Sequence, residues 1–215
     1  MPEISPKLIK GGIVLVDATS GAILKIIAMQ YNSDSVARQF QPKAVTTETG
    51  DRSEALRLKG PPVETIKVDI EIDAADQMEL GDAVTADAGI HPQLAVLEMT
   101  VNPSSAQLEN ANRLAQNGTL EIAPMLQPLT LFIWSRNRIV PVRITDLNIT
   151  EEAFDPNLNP IRAKVSIGMR VLNVDDLGFN VKGGNLFMAY LKNREQLARK
   201  ARAGTLSALG LTGLP

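Results

Sequence analysis

Three carboxylates at alternate positions of one short segment, Asp69, Glu71 and Asp73, have the clearest capacity for chemistry in this chain. Alternate side chains of a β-strand share a face and lie about 7 Å apart, so this row could bind a hard cation or act as an acid and base pair. Rows of this kind more often form a face exposed to water or to a partner, because opposite charges on sheets pair routinely. We expect an interaction surface, and a carboxylate-based cation site stays as the alternative.

A basic row in a later segment is the natural complement of these carboxylates. Arg162, Lys164 and Arg170 fall on one face of a second alternating run, opposite its apolar residues. Cross-strand pairs of opposite charge stabilise a sheet, and the same pairing can join two chains. The sequence leaves open whether the acidic and basic faces meet within one chain or between neighbours.

Few other groups suited to catalysis or metal binding are present. The chain has no cysteine and one histidine, His91, which precedes a proline at a predicted helix start and is best explained as a cap or surface residue. The pairs Gly11-Gly12 and Gly183-Gly184 lack the strand and helix frame of a phosphate-binding loop. We therefore predict that the protein is not an enzyme and holds no metal or cofactor.

Composition excludes several classes of function. Within 215 residues, 44% are hydrophobic and 21% charged, the balance of an ordinary globular protein, and the net charge of −2 offers no surplus of positive charge for nucleic acid. Residues 1–10 lack a basic segment followed by an apolar core, so we expect synthesis and assembly in the cytoplasm. The longest uncharged stretch, 122–135, contains two prolines and is too short to span a membrane, so we expect no direct membrane insertion.

The segments that must position these residues are mostly β-strands. Alternation of apolar and polar residues predicts two long strands, and β-prone apolar runs predict four more strands, the first two forming a buried hairpin. A slip in the parity of the apolar residues predicts a bulge near Thr145 and Asp146. The predicted strands are 66–73 and 161–171, then 13–16, 23–29, 129–134 and 139–150.

Helices are fewer and peripheral. Apolar spacing and end signals predict helices at 92–101 and 104–116, and an apolar stripe from Phe187 to Ala201 predicts a C-terminal helix. The polar segment 46–60, closed by Pro61-Pro62, is predicted to be an exposed loop that acts as a contact arm. With no fixed-period repeat, the simplest account is a mainly β protein, one barrel or sandwich with peripheral helices.

Several segments spread over residues 10–172 resemble the tube-initiator, or tail-adaptor, family of contractile injection systems, which are phage-tail-like particles. Residues 59–65 are the most specific part of the resemblance. Family members of the LysM-type baseplate group often carry a LysM module near the C-terminus, whereas this chain has only a linker, a helix and a tail after residue 172. The similar segments are KGGIVLV (10–16), QYN (30–32), RQFQP (38–42), LRLKGPPVETI (56–66), VRI (142–144), EEAF (151–154) and LNPIRA (158–163).

The resemblance implies a tail-tube-like β fold over residues 1–172, followed by a docking region at 173–215. It further implies a homohexameric ring that joins the spike and baseplate to the inner tube and starts tube assembly. Its partners would be the spike protein, the inner-tube protein and the baseplate wedge proteins, in a particle that is either retained in the cytoplasm or released. A main inner-tube protein is the alternative, and no catalytic residue is carried over.

We predict that charged residues in four regions make the contacts of such a ring. They lie in the arm, in the acidic and basic rows, and on the C-terminal helix, where the ordinary interpretation is a solvated helix face. The predicted interaction residues are Arg52, Arg57, Lys59, Asp69, Glu71, Asp73, Arg162, Lys164, Lys192, Arg194 and Arg199.

Overall fold

Seven antiparallel strands form one sheet in the computed structural model, which describes residues 9–29, 31–44, 57–79, 81–117, 125, 127–202 and 204–213, the side chain of Asp76 excepted. The order across the sheet is β2-β1-β5-β6-β7-β4-β3, so β2 and β3 are its edges. The strands are β1 (Gly12–Val16), β2 (Ile23–Ala28), β3 (Val36–Gln41), β4 (Val63–Asp73), β5 (Leu129–Ser135), β6 (Arg138–Phe154) and β7 (Pro160–Val171).

The helices surround this sheet, which confirms the prediction of a mainly β protein with peripheral helices. A capping box starts α4: the Ser104 hydroxyl accepts a hydrogen bond from the N–H of Gln107, and the Gln107 side chain accepts one from the N–H of Ser104. The helices are α1 (Ala75–Glu79), α2 (Ala83–Ala88), α3 (His91–Glu98), α4 (Ser105–Gln116), α5 (Val174–Leu177) and α6 (Lys182–Lys200), with a 3-10 turn at Leu206–Leu209.

The long strands follow the predicted pattern closely. In β4, Ile66, Val68 and Ile70 are buried, whereas the residues between them face outward, as period-2 alternation requires. The register of β6 against β7 shifts between Ile144 and Asp146, so the predicted bulge is confirmed. Because an extra residue on one strand reverses the parity of the residues after it, the bulge lets both Ile144 before it and Leu147 after it pack against the core.

The predicted N-terminal hairpin is present, but only half of it is buried. All five residues of β1 are buried between β2 and β5, whereas β2 is exposed along most of its length. The expectation of a buried hairpin is therefore wrong for β2. An edge strand has a hydrogen-bonded neighbour on one side only.

One apolar cluster unites the two ends of the sheet. It contains Ile13 of β1, Phe132 of β5 and Ile66 of β4, together with buried residues of α3 and α6. The buried residues of α3 and α6 join those of the strands into one contiguous core on this face of the sheet. Because Phe187 and Tyr190 of α6 belong to this cluster, α6 is part of the same core, and a division at residue 172 stays a prediction.

The turn between α2 and α3 is fixed to the start of β7. The N–H of Ile90 donates to the carbonyl of Pro160 at 2.9 Å, and the Asn159 side chain donates to the carbonyl of Asp87 at 3.0 Å. Gly89 between them has φ of 56°, a left-handed conformation in which a side chain would meet the Pro160 carbonyl. This anchor places Leu94 of α3 against the core face of the sheet.

We expect Phe132→Ala to lower the free energy of unfolding by about 3–5 kcal/mol, because removing this fully buried ring leaves a cavity in the core. Phe179→Ala is the matched control, since Phe179 is 62% exposed, and it should change the free energy by less than about 0.5 kcal/mol. Urea denaturation followed by the fluorescence of Trp134, the only tryptophan, measures both. Equal losses in the two variants would contradict the assigned core.

Candidate functional site

The acidic and basic rows meet within one chain. The β4–β7 register sets Asp73 opposite Arg162 and Glu71 opposite Lys164. The Arg162 Nε lies 2.9 Å from Asp73 Oδ2 and 3.5 Å from Glu71 Oε1, while the Lys164 Nζ reaches Glu152 of β6 at 2.9 Å. The rows are therefore largely neutralised inside the sheet.

Asp73 is the most firmly held of these carboxylates. The N–H of Ala75 donates to it at 2.7 Å, and this bond, followed by the bond from Arg162, holds the pKa of Asp73 below its usual value. The hydrogen bond between Arg162 and Asp73 also raises the pKa of Arg162. Among the described residues, no group of three histidine, cysteine or acidic side chains is arranged to hold a metal ion.

An acidic groove remains beside this paired region. We use that name for a cavity of about 640 Å³ between the 31–35 loop and the outer faces of β4, β6 and β7. Its charged lining residues are Asp34, Asp69, Glu71 and Lys164. Within the described part of the chain, Asp34 and Asp69 form no ion pair, and the buried Ser166 Oγ has no hydrogen-bond partner. The groove thus has a net charge of about −2.

A second charged site, which the sequence did not reveal, lies at the other end of β4. Glu64 is 3% exposed on the core face of the sheet, in line with Ile66. Its Oε1 accepts hydrogen bonds from Arg38 Nη2 at 2.6 Å and Nε at 2.9 Å, and from the Tyr190 hydroxyl at 3.2 Å. A buried carboxylate requires such partners, since an unpaired one would be costly.

Two further arginines complete what we call the arginine cluster: Arg38, Arg138 and Arg194 around Glu64. The Arg194 Nη1 lies 3.5 Å from Glu64 Oε2, and its guanidinium stacks 5.0 Å from the Phe40 ring centre and 5.3 Å from that of Tyr190. Arg38 lies 4.8 Å from the centre of the Phe40 ring. These planar contacts hold the guanidinium groups in place.

The cluster carries more positive than negative charge. Arg138 is partly buried, and within the described residues its guanidinium forms no hydrogen bond or ion pair. Burial lowers the pKa of Arg138, and nearby Arg38 lowers it further, although Tyr190 and Glu64 act in the opposite direction. Three arginines around one glutamate give a net charge of about +2.

Only Arg194 of this cluster was among the predicted interaction residues. The contacts join positions 26, 126 and 152 residues apart, so no local pattern could reveal them. Arg38, Phe40 and Glu64 do occur in the segments quoted for the resemblance, and Glu64 is a charged residue on the apolar face of an alternating strand. A carboxylate in that position is the one local signal that a buried partner exists.

The remaining predicted residues lie apart from both charged sites. Lys59 is exposed at the base of the arm, where its N–H donates to the Lys43 carbonyl at 2.8 Å, and Arg57 is exposed beside it. Lys192 and Arg199 are exposed on α6. Arg52 and most of the predicted arm lie outside the described residues.

Comparison with known proteins gave structural likeness only. No family model matches this chain, and no curated protein matches it. A chain from the tail of an empty gene transfer agent particle with six-fold symmetry aligns over 75% of this chain and 90% of its own, with 16% identity and a TM-score of 0.29. A chain from the virion of a native gene transfer agent aligns over the same shares, with 13% identity and a TM-score of 0.28. Likeness at these scores supports no inference about function.

No helix in the described part of the chain is long and apolar enough to cross a membrane.

Glu64→Gln should lower the free energy of unfolding by about 3 kcal/mol, because it leaves partly buried arginines without their counter-charge. Glu71→Gln on the same strand is the control, since its pair with Arg162 is roughly half exposed and should contribute less than about 1 kcal/mol. Urea denaturation at neutral pH compares them. Equal losses in the two variants would contradict a larger contribution from Glu64 and its arginines than from the Glu71–Arg162 pair.

Tyr190 should make the protein less stable at high pH. Burial first, then the charge of Glu64, raises the pKa of Tyr190 in the folded protein. The contribution of Tyr190 to the free energy of unfolding is fully present below pH 10, which is about the pKa of tyrosine in the unfolded chain. This contribution is lost as the pH rises from about 10 through the higher pKa of Tyr190 in the folded protein. In Tyr190→Phe, the fall in unfolding free energy above about pH 10 should be smaller than in the wild type. Tyr31→Phe, altered at an exposed tyrosine, is the control for loss of a phenolic hydroxyl.

Proposed function

We propose that this chain is a structural subunit of a phage-tail-like contractile injection particle. In the finer form of the proposal, it assembles as a homohexameric ring between the spike and baseplate and the inner tube, and starts tube assembly. The proposal assigns no catalytic residue and no cofactor. It places synthesis and assembly in the cytoplasm, with the finished particle either retained there or released.

The exposed apolar edge of the sheet is the observation that carries the proposal. Ile23, Leu24 and Ile26 of β2 are 64%, 54% and 61% exposed, on a strand with one unpaired side. Folded monomers normally protect such an edge with charges, bulges or a covering element, and β2 has Lys25 and one bulge at Leu24. A neighbouring subunit that covers β2 would remove this apolar surface from water.

Most of the segments that resemble the tube-initiator family belong to strands of the sheet. Their described residues include β1, most of β3, the start of β4, and parts of β6 and β7. The arm, whose base is held by an ion pair from Lys43 Nζ to Asp175 Oδ2 at 2.8 Å, would reach an adjacent layer or subunit.

The wild-type protein should form a six-fold ring, visible by electron microscopy and by mass in light scattering. Ile26→Lys should leave the melting temperature nearly unchanged and shift the protein to monomers, because a charge on the exposed edge opposes its burial. Val84→Lys, at a position 58% exposed on α2, should still assemble. A wild-type protein that stays monomeric under all tested conditions would refute the proposal.

A main inner-tube protein is the second candidate, because a tube subunit would have a similar sheet. The additional helix α6, which ends in the basic residues Arg199 and Lys200, favours the initiator role by providing a further docking element. Copy number per particle, measured by quantitative mass spectrometry, separates the two. One ring per particle fits an initiator, whereas many rings per particle fit a tube protein.

A further inference from the structure

We propose that the arginine cluster of one copy of this chain binds the acidic groove of the next copy, so that the ring closes through a head-to-tail contact. This inference rests on the proposed function, since it names the partner and the surfaces of the same assembly. The occupant of the cluster is therefore a second copy of the chain, and the group recognised is a carboxylate.

The charges of the two sites match. The arginine cluster has a net charge of about +2, and the lining of the acidic groove has a net charge of about −2. Each site also contains charged groups that form no hydrogen bond or ion pair with the described residues: Arg138 in the cluster, and Asp34 and Asp69 in the groove. Binding would pair groups that each monomer leaves unpaired.

The two sites cannot satisfy one another within a monomer. Glu64 is on the core face of β4, whereas Asp69 and Glu71 are on the opposite face and five to seven residues further along. At the rise of a strand, that separation is about 17–24 Å. Two different, complementary surfaces on opposite sides of a subunit define a heterologous contact, which produces a closed ring when the rotation closes.

The cluster is suited to binding because its arginines are already ordered. Arg38 is held by two hydrogen bonds to Glu64 and one to the Tyr190 hydroxyl, and its side chain is 23% exposed. Arg194 stacks on two rings yet remains 40% exposed. Side chains fixed before binding lose little conformational entropy, and guanidinium groups that are partly removed from water attract a carboxylate more strongly.

The test reverses one charge on each surface. Arg194→Glu and Asp69→Lys are each expected to weaken ring formation at least about tenfold in sedimentation equilibrium, because each places like charges at the contact. The double variant, which restores opposite charges at every interface, should recover assembly to within about threefold of wild type. Raising the salt concentration should weaken the wild-type ring.

Matched variants at exposed positions outside both sites serve as controls. Arg113→Glu on α4 and Glu98→Lys on α3 change charge by the same amount and should assemble like the wild type. Melting temperatures establish that each variant is folded. Should Arg194→Glu unfold, Arg194→Gln provides a milder loss of charge, with an expected weakening of about threefold.

The outcomes separate this inference from the proposed function. If the wild type forms rings and the single reversals form them equally well, the charge contact is refuted while the structural role stands. Loss of assembly in the single variants without recovery in the double variant also refutes direct pairing of Arg194 with the acidic groove. A wild type that never assembles refutes both proposals.

Discussion

The antiparallel pairing of β4 with β7 is the constraint on which the rest of the structure depends. It runs in one register from Thr65 opposite Arg170 to Asp73 opposite Arg162, without a bulge. The core faces of both strands bring Ile66, Val68 and Ile167 into the main cluster. A slip of one residue would turn these side chains to the outside and bury the charges, so the hydrophobic effect fixes this register strongly.

The same register decides which charged side chains form ion pairs within the sheet and which do not. On the outer face, Arg162 and Lys164 reach carboxylates of the neighbouring strands, and such exposed pairs add little to stability. Beyond these pairs, Asp69 faces the acidic groove. At the start of β4, Glu64 takes a core-face position that an apolar residue would normally occupy, and it organises arginines from β3 and α6. The charged surfaces are thus consequences of how one strand pair is aligned.

Helix α6 connects the sheet to the proposed assembly. Phe187 and Tyr190 pack into the main cluster, and Leu186 packs on a smaller cluster formed by outer-face residues of β1 and β5. Because Tyr190 and Arg194 lie one turn apart, anchoring the helix in the core also positions the guanidinium that stacks on Phe40. In the proposed assembly, a partner bound at α6 would therefore contact an element of the core itself.

Local pattern by itself determined much of this protein. Alternation predicted β4 and β7, the parity slip in β6 predicted the bulge near Thr145, and end signals predicted α3 and α4, because backbone geometry imposes these periods on any chain. The tertiary structure alone decided that β2 is an exposed edge, that Arg162 pairs with Asp73 inside one chain, and that Arg38, Glu64 and Tyr190 meet. Strand order and contacts between distant residues result from packing the whole sheet around one core, which short-range spacing does not encode.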